Sequence, residues 1–190
     1  MKLTTYCFEK AGPQNTDETL EVALQRARAL GITQAVVASS HGDTARRAQD
    51  ILTPHDIEIT VITLCHGFED LGWCMSEETK EELRQMGLHV VTGIHALGDG
   101  VGSAFSEEHG GRTRPEIVRD TLYRFSQGMK VAVENVLMAA DAGHLNMDEE
   151  VISIAGTGSG ADTAIVCKPA YPRTFFDLEI REVLAKPRIP

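Results

Sequence analysis

The segment Ala38-Ser39-Ser40-His41-Gly42-Asp43-Thr44-Ala45 concentrates groups that bind anions. Two adjacent hydroxyls, a glycine and a third hydroxyl stand between an apolar strand-like run and a helix-like run. Side-chain donors at such a place sit beside the unpaired backbone N–H groups of a helix start, and the helix dipole favours a phosphate there. Ser39, Ser40, Gly42 and Thr44 are the expected cradle. Asp43 opposes an anion but can accept a hydrogen bond from a ligand hydroxyl or ring N–H. The same residues also suit a plain helix start capped by Asp43 or Ser40, so the segment alone leaves both readings open.

A second motif is Gly156-Thr157-Gly158-Ser159-Gly160-Ala161-Asp162-Thr163. Its glycine spacing invites a dinucleotide fingerprint, but that fingerprint must open a helix, and the run that follows, Thr163 to Cys167, reads as a strand. What remains is a loop whose bare backbone permits close approach of a flat or phosphorylated ligand, with Thr157, Ser159, Asp162 and Thr163 as polar contacts. A glycine-rich turn without a ligand is the alternative.

No residue declares itself a nucleophile. Ser39 and Ser40 lie outside any GxSxG, and Cys65 beside His66 is no dyad, because strand neighbours point to opposite faces. His41, His66 and His95 follow strand ends and suit acid/base work as well as ordinary loop positions. The four cysteines, Cys7, Cys65, Cys74 and Cys167, form no CxxC pair and read as reduced residues packed in or near a core. A metal site would have to combine Cys65, His66 and Cys74 with a distant ligand, so no metal centre is expected.

These motifs need elements to position them. Leu3 to Phe8 reads as a strand, followed by a polar loop to Asn15 and a helix over Asp17 to Leu30 with Gly31 as its stop. Ala35 to Ala38 is apolar on both faces, as in a central parallel strand. A helix follows it and ends before Pro54. Ile57 to Leu64 is β-branched, Ser76 caps a helix over Glu77 to Met86, and Leu88 to Val91 is another short strand. Residues 98–115 carry five glycines in a long connection, with a short helix around Ser103 to Glu108, and such loops often serve as lids. Glu116 to Ala142 reads as one long helix bent at Gly128. Val151 to Ala155 and Thr163 to Cys167 form an antiparallel pair, and the tail FFDLEIREVLA has no assignment.

Repeated strand–helix alternation requires right-handed crossovers and a mostly parallel sheet covered on both faces. The 190 residues suit one domain, spanning 1–190. With 42% apolar and 24% charged residues the chain has the composition of a protein with a core, which excludes disordered and fibrous classes. The formal charge of -10 repels a phosphate backbone, so nucleic acid is not an expected partner. No apolar run approaches membrane-spanning length, and MKLTTYCFEK is too short and polar for a secretory signal, so a cytoplasmic location is expected and no membrane partner.

The strand, hydroxyl-rich turn and helix of VVASSHGDTARRA resemble the sugar-phosphate loop of the pyruvate kinase C-terminal domain. Asn15 to Leu20, Val36 to Ala45, His66-Gly67-Phe68, Met138 to Gly143, Gly160 to Ala164 and Phe175-Phe176-Asp177 together resemble the stand-alone pyruvate kinase α/β-domain-like proteins of archaea and bacteria over nearly the whole length. The resemblance implies an α/β fold: three-layer α/β/α, a mostly parallel mixed sheet of five or six strands with an antiparallel strand. It implies no pyruvate kinase activity, because that chemistry sits in a (β/α)8 barrel of about 250 residues. Some members of the family are associated with FMN, which makes FMN the expected cofactor and a flavin-dependent oxidoreductase of unknown substrate the expected activity. In that reading Ser39, Ser40, Gly42 and Thr44 hold the FMN phosphate. The isoalloxazine lies between the Gly156 to Thr163 loop and Gly67-Phe68, while Asn15 and Asp162 bond ring or ribityl groups. Phe68, Trp73 and Phe105 are the aromatic residues nearest this site. A non-catalytic module that binds a phosphorylated metabolite is the alternative, and a homo-oligomer packed through the long helix is compatible with either.

Overall fold

A computed structural model of the protein describes residues 2–189. Helix α1 (Thr16–Leu30) is followed by strand β2 (Gln34–Ala38), helix α2 (Asp43–Leu52) and strand β3 (Glu58–Ile62). Helix α3 (Glu77–Gln85) and strand β4 (His89–Val91) complete the first half, with the short strand β1 (Tyr6–Phe8) ahead of them. The starts and stops follow from local chemistry. Gly31 closes α1 in the left-handed conformation at φ 71°, and Ser76 Oγ accepts from Thr79 N at 3.1 Å to cap α3.

The second half holds helices α4 (Val101–His109), α5 (Arg114–Leu122) and α6 (Gln127–Asp141), then strands β5 (Val151–Ala155), β6 (Thr163–Lys168) and β7 (Glu179–Pro187). The single long helix expected over Glu116 to Ala142 is therefore two. Ser126 causes the break: its Oγ accepts from Met129 N at 2.9 Å and restarts the chain as the cap of α6. Gly128 lies in the first turn of α6 and is not a bend. A Cβ there would lie 2.7 Å from Thr163 Cβ and 2.9 Å from Asp162 Oδ1, so its role is to let α6 approach the start of β6.

All strands join one seven-stranded sheet in the order β1-β7-β6-β5-β2-β3-β4. That is more strands than the expected five or six, because the unassigned tail forms β7 and β1 pairs with it in parallel, Tyr6 against Ala185. Strand β6 alone runs against the rest, antiparallel to both β5 and β7. The core is two clusters divided by the sheet, and strand periodicity assigns the sides. Ala35 and Val37 of β2 pack with Leu20, Leu24 and Leu52 of α1 and α2, while Val36 faces Met129, Val133 and Leu137 of α6. Helices cover both faces, which is why β2, β5 and β6 read as continuous apolar runs. Among the described residues no helix is long and apolar enough to cross a membrane.

Candidate functional site

The chain leaves β2 toward β3 on one side and leaves β5 toward β6 on the other. Loops that diverge in this way open a crevice at the carboxyl ends of the two strands, where open α/β sheets bind ligands. A cavity of about 320 Å³ occupies that crevice. Its walls include Ser39, Ser40, Asp43 and Thr44 after β2, and Gly156, Gly158, Ser159 and Gly160 after β5. Phe68 and Trp73, in the connection between β3 and α3, stand at the same cavity and stack on each other, with ring centroids 5.8 Å apart and planes at 22°.

The first of these walls is the N-terminus of α2. Gly42 takes the left-handed conformation at φ 96° and precedes the helix. Ser39 Oγ accepts from Gly42 N at 3.1 Å and from Ala45 N at 3.4 Å, so Ser39, not Asp43 or Ser40, satisfies donors of that turn. The Asp43 side chain is 88% exposed and pairs with Arg46 at 3.5 Å, which offsets its charge beside the helix end. Ser40 and Thr44 remain as hydroxyls on the cavity wall, beside first-turn N–H groups that have no intrahelical acceptor.

The glycine loop divides by function. Gly156 and Gly160 are demanded by the fold itself: a Cβ on Gly156 would sit 2.9 Å from Ala161 Cα, and one on Gly160 2.5 Å from Pro13 Cα. Gly158 has open space around it and a φ of 74°, so there the requirement is the backbone conformation alone. Thr157 Oγ1 is a buried hydroxyl with no hydrogen-bond partner among the described residues, a state that costs free energy unless a partner arrives.

Six expected ligand contacts are not on the cavity wall, namely Asn15, Gly42, Gly67, Thr157, Asp162 and Thr163. Asp162 is fully buried, and its carboxylate accepts from Gly12 N at 3.1 Å and Thr163 Oγ1 at 2.9 Å. Thr163 Oγ1 also meets Ser126 Oγ at 3.1 Å, and Asn15 Nδ2 donates to Lys10 O at 2.8 Å. These polar groups are consumed in tying the loop to the N-terminal segment and to α6. Phe105, the third aromatic candidate, is 61% exposed on α4 and does not line this cavity.

Sequence reasoning missed a polar wall opposite the phosphate loop. Lys130 and Glu134, both at most 5% exposed, form an ion pair one turn apart on α6, and Glu134 Oε1 also accepts from Leu97 N at 2.8 Å. Tyr123 lies with its ring 6.0 Å from Lys130 Nζ. The available signal was two opposite charges at i, i+4, with Asn135 beside them, in a helix otherwise apolar from Met129 to Ala140. His95 and Asp99 complete this wall. His95 Nδ1 lies 2.6 Å from Asp99 Oδ2, and that bond holds the Asp99 carboxyl below its usual range against the opposing effect of burial. Of the three histidines that follow strand ends, His41 and His95 line the cavity, while His66 points to Lys80 Nζ at 3.3 Å.

A larger cavity, about 490 Å³, lies beyond the β4 edge between α4 and the end of α6. It borders the glycine-rich 98–115 connection, where the first turns of α4 and α5 reach it, and shares His95 with the first, but most of its wall is apolar and it holds neither a buried ion pair nor a stacked aromatic pair. The crevice between β2 and β5, with its paired charges and stacked aromatic rings beside a helix start, is therefore the functional candidate. Set beside known proteins, the chain matches the family described as "Pyruvate kinase, alpha/beta domain" over residues 17–167, from the first turn of α1 to the end of β6. The match takes in both loops of the crevice and covers most of the 190 residues, and the protein belongs to that family.

Proposed function

We propose that the protein binds FMN in the crevice between β2 and β5 and works as a flavin-dependent oxidoreductase. One observation carries the reading: a helix N-terminus with free donors and a stacked aromatic pair open on a single cavity. A phosphate and a flat ring are the two ends of a flavin mononucleotide. About 320 Å³ lies near the lower limit of the roughly 300–1,000 Å³ typical of small-molecule sites, which favours a mononucleotide over a dinucleotide.

In this reading Ser40, Thr44 and the first-turn N–H groups of α2 hold the phosphate, and the dipole of α2 adds to their attraction. Phe68 and Trp73 supply the stacking surface, and Gly158 and Ser159 the opposite wall. Lys130, Glu134 and Asn135 are polar groups that a ring or ribityl chain meets at the cavity floor. Bound FMN would supply hydride and electron transfer, so the protein need contribute only binding, orientation and electrostatics.

The double substitution Ser40→Ala with Thr44→Ala tests the cradle. Hydrogen bonds to charged groups contribute about 1.5–3 kcal/mol each, so FMN affinity should fall at least about 10-fold. Affinity for riboflavin, which has no phosphate, should change little. Equal losses for both flavins would remove the phosphate from this end of the crevice. Thermal stabilisation by phosphorylated metabolites, with no response to flavins, would instead favour a regulatory module.

A further inference from the structure

Three donor groups of different hardness meet at the carboxyl edge of the sheet, where His95 and Asp99 line the proposed flavin cavity and Cys65 lies behind them. Cys65 follows β3, His95 follows β4, and Asp99 lies one turn beyond His95. One ligand atom from each, a thiol sulfur, a ring nitrogen and a carboxylate oxygen, lies within 4.8 Å of the other two. Cys65 is 8% exposed, and the side chains of His95 and Asp99 are 9% and 32% exposed. We propose that Cys65, His95 and Asp99 form a binding site for a borderline divalent cation of the Zn²⁺ type, with its remaining coordination position directed to the cavity.

Geometry supports the assignment. Ligands at about 2.0–2.3 Å from one tetrahedral ion lie about 3.3–3.8 Å apart, so the three donors, within 4.8 Å of one another, close by up to about 1 Å and the 2.6 Å bond between His95 Nδ1 and Asp99 Oδ2 opens to admit the ion. Charge supports it too. A thiolate and a carboxylate neutralise a divalent ion, which makes burial of the ion affordable in a site this closed. Donor type then sets the metal: sulfur and imidazole favour Zn²⁺ and its transition-metal neighbours over Mg²⁺ or Ca²⁺.

The surroundings hold the donors in place. Leu97 N donates to Glu134 Oε1 at 2.8 Å, and Asp99 N donates to Ser103 Oγ at 3.0 Å, which fixes the loop on α6 and α4. Asp99 adopts a left-handed backbone at φ 60°, uncommon for a residue other than glycine. Cys74 Sγ donates to Cys65 O at 3.2 Å and steadies the first ligand's backbone. The same three side chains in a different arrangement would make a nucleophilic triad. Among the described residues, however, no hydrogen bond joins the Cys65 thiol to His95, and such a triad needs one. Three protein ligands with one position left over is the pattern of zinc sites that accept a water or substrate oxygen.

The test uses flavin-free full-length protein and Co²⁺, whose thiolate complexes absorb in the near ultraviolet, so its outcome is independent of flavin binding. One Co²⁺ per chain should bind with a thiolate-to-cobalt charge-transfer band that Zn²⁺ displaces and Mg²⁺ does not. Cys65→Ser should abolish the band. His95→Ala and Asp99→Asn should each weaken binding at least about 10-fold, the smallest loss seen even for residues that only support a ligand. Cys7→Ser should retain both band and stoichiometry. Far-ultraviolet circular dichroism of each variant checks its fold. Absence of the band in the unaltered protein, its persistence in Cys65→Ser, or its loss in Cys7→Ser would overturn the assignment.

Discussion

Glu116 accepts hydrogen bonds from Ser106 Oγ at 2.5 Å, Thr113 N at 2.8 Å and Thr113 Oγ1 at 2.9 Å. Led by the Ser106 bond, these contacts favour the ionised form and hold the carboxyl at about 2, well below the ordinary 4.5. Between those values the unfolded chain binds the proton and the folded chain does not. The stabilisation is therefore complete above the unfolded value and is lost as pH falls toward 2. The urea midpoint of the protein should drop across that interval, and Glu116→Gln should be less stable near neutrality with a smaller drop; identical pH profiles would refute the role. Residues of this kind mark what sequence can and cannot convey. Thr113-x-x-Glu116 is a capping box and can be read directly. The direction of a loop carboxylate cannot, because Asp162 is equally able to meet a ligand or its own backbone until the fold brings Gly12 to it. Cys65 and His95 are likewise separated by a helix and a strand, and no short spacing announces their meeting.

At the scale of elements, most helices and strands follow from periodicity and caps, and α1, β2, α2, β3, α3 and β5 fall where the pattern puts them. The departures have local causes. An apolar stripe continues through Leu122, Phe125 and Met129, which masks the cap at Ser126 that separates α5 from α6. Strand β7 alternates poorly because its first half is exposed and its apolar contacts begin at Val183, Leu184 and Ala185, so it acquires its identity from pairing with β6. The junction of α6 with β6 gives a sharp test. In a helix, Gly→Ala normally stabilises by about 0.5–1 kcal/mol. At Gly128 the new Cβ would lie within 2.7 Å of Thr163 Cβ, and overpacking of a filled site costs about 1–3 kcal/mol. Gly128→Ala should thus lower the thermal midpoint, and a rise would show that α6 can move off the sheet without penalty.

For the whole molecule, sheet order decides where chemistry can occur. The parallel strands β5 and β2 lie side by side although five α-helices and two strands separate β2 from β5 in sequence, and their loops diverge to open the crevice. The three-layer architecture and the family were legible from segments spread along the chain, and membership over residues 17–167 agrees with both. The inward wall of Lys130, Glu134 and Asp99 was not, nor was the place of His95 in it, since the wall exists only when α6 packs on the sheet and the loop after β4 bonds to it through Leu97 N and Glu134. The central claim is that this crevice recognises a flavin through both its ring and its phosphate. Trp73, the only tryptophan, stands at the cavity and reports on it. Flavin-free protein titrated in parallel with FMN and riboflavin, followed by Trp73 emission and flavin fluorescence, is the most direct measurement. The account predicts saturable quenching of both signals at one FMN per chain, with riboflavin bound at least about 10-fold more weakly for want of charge-assisted bonds at α2. Unchanged Trp73 emission, or equal affinity for the two flavins, would contradict it.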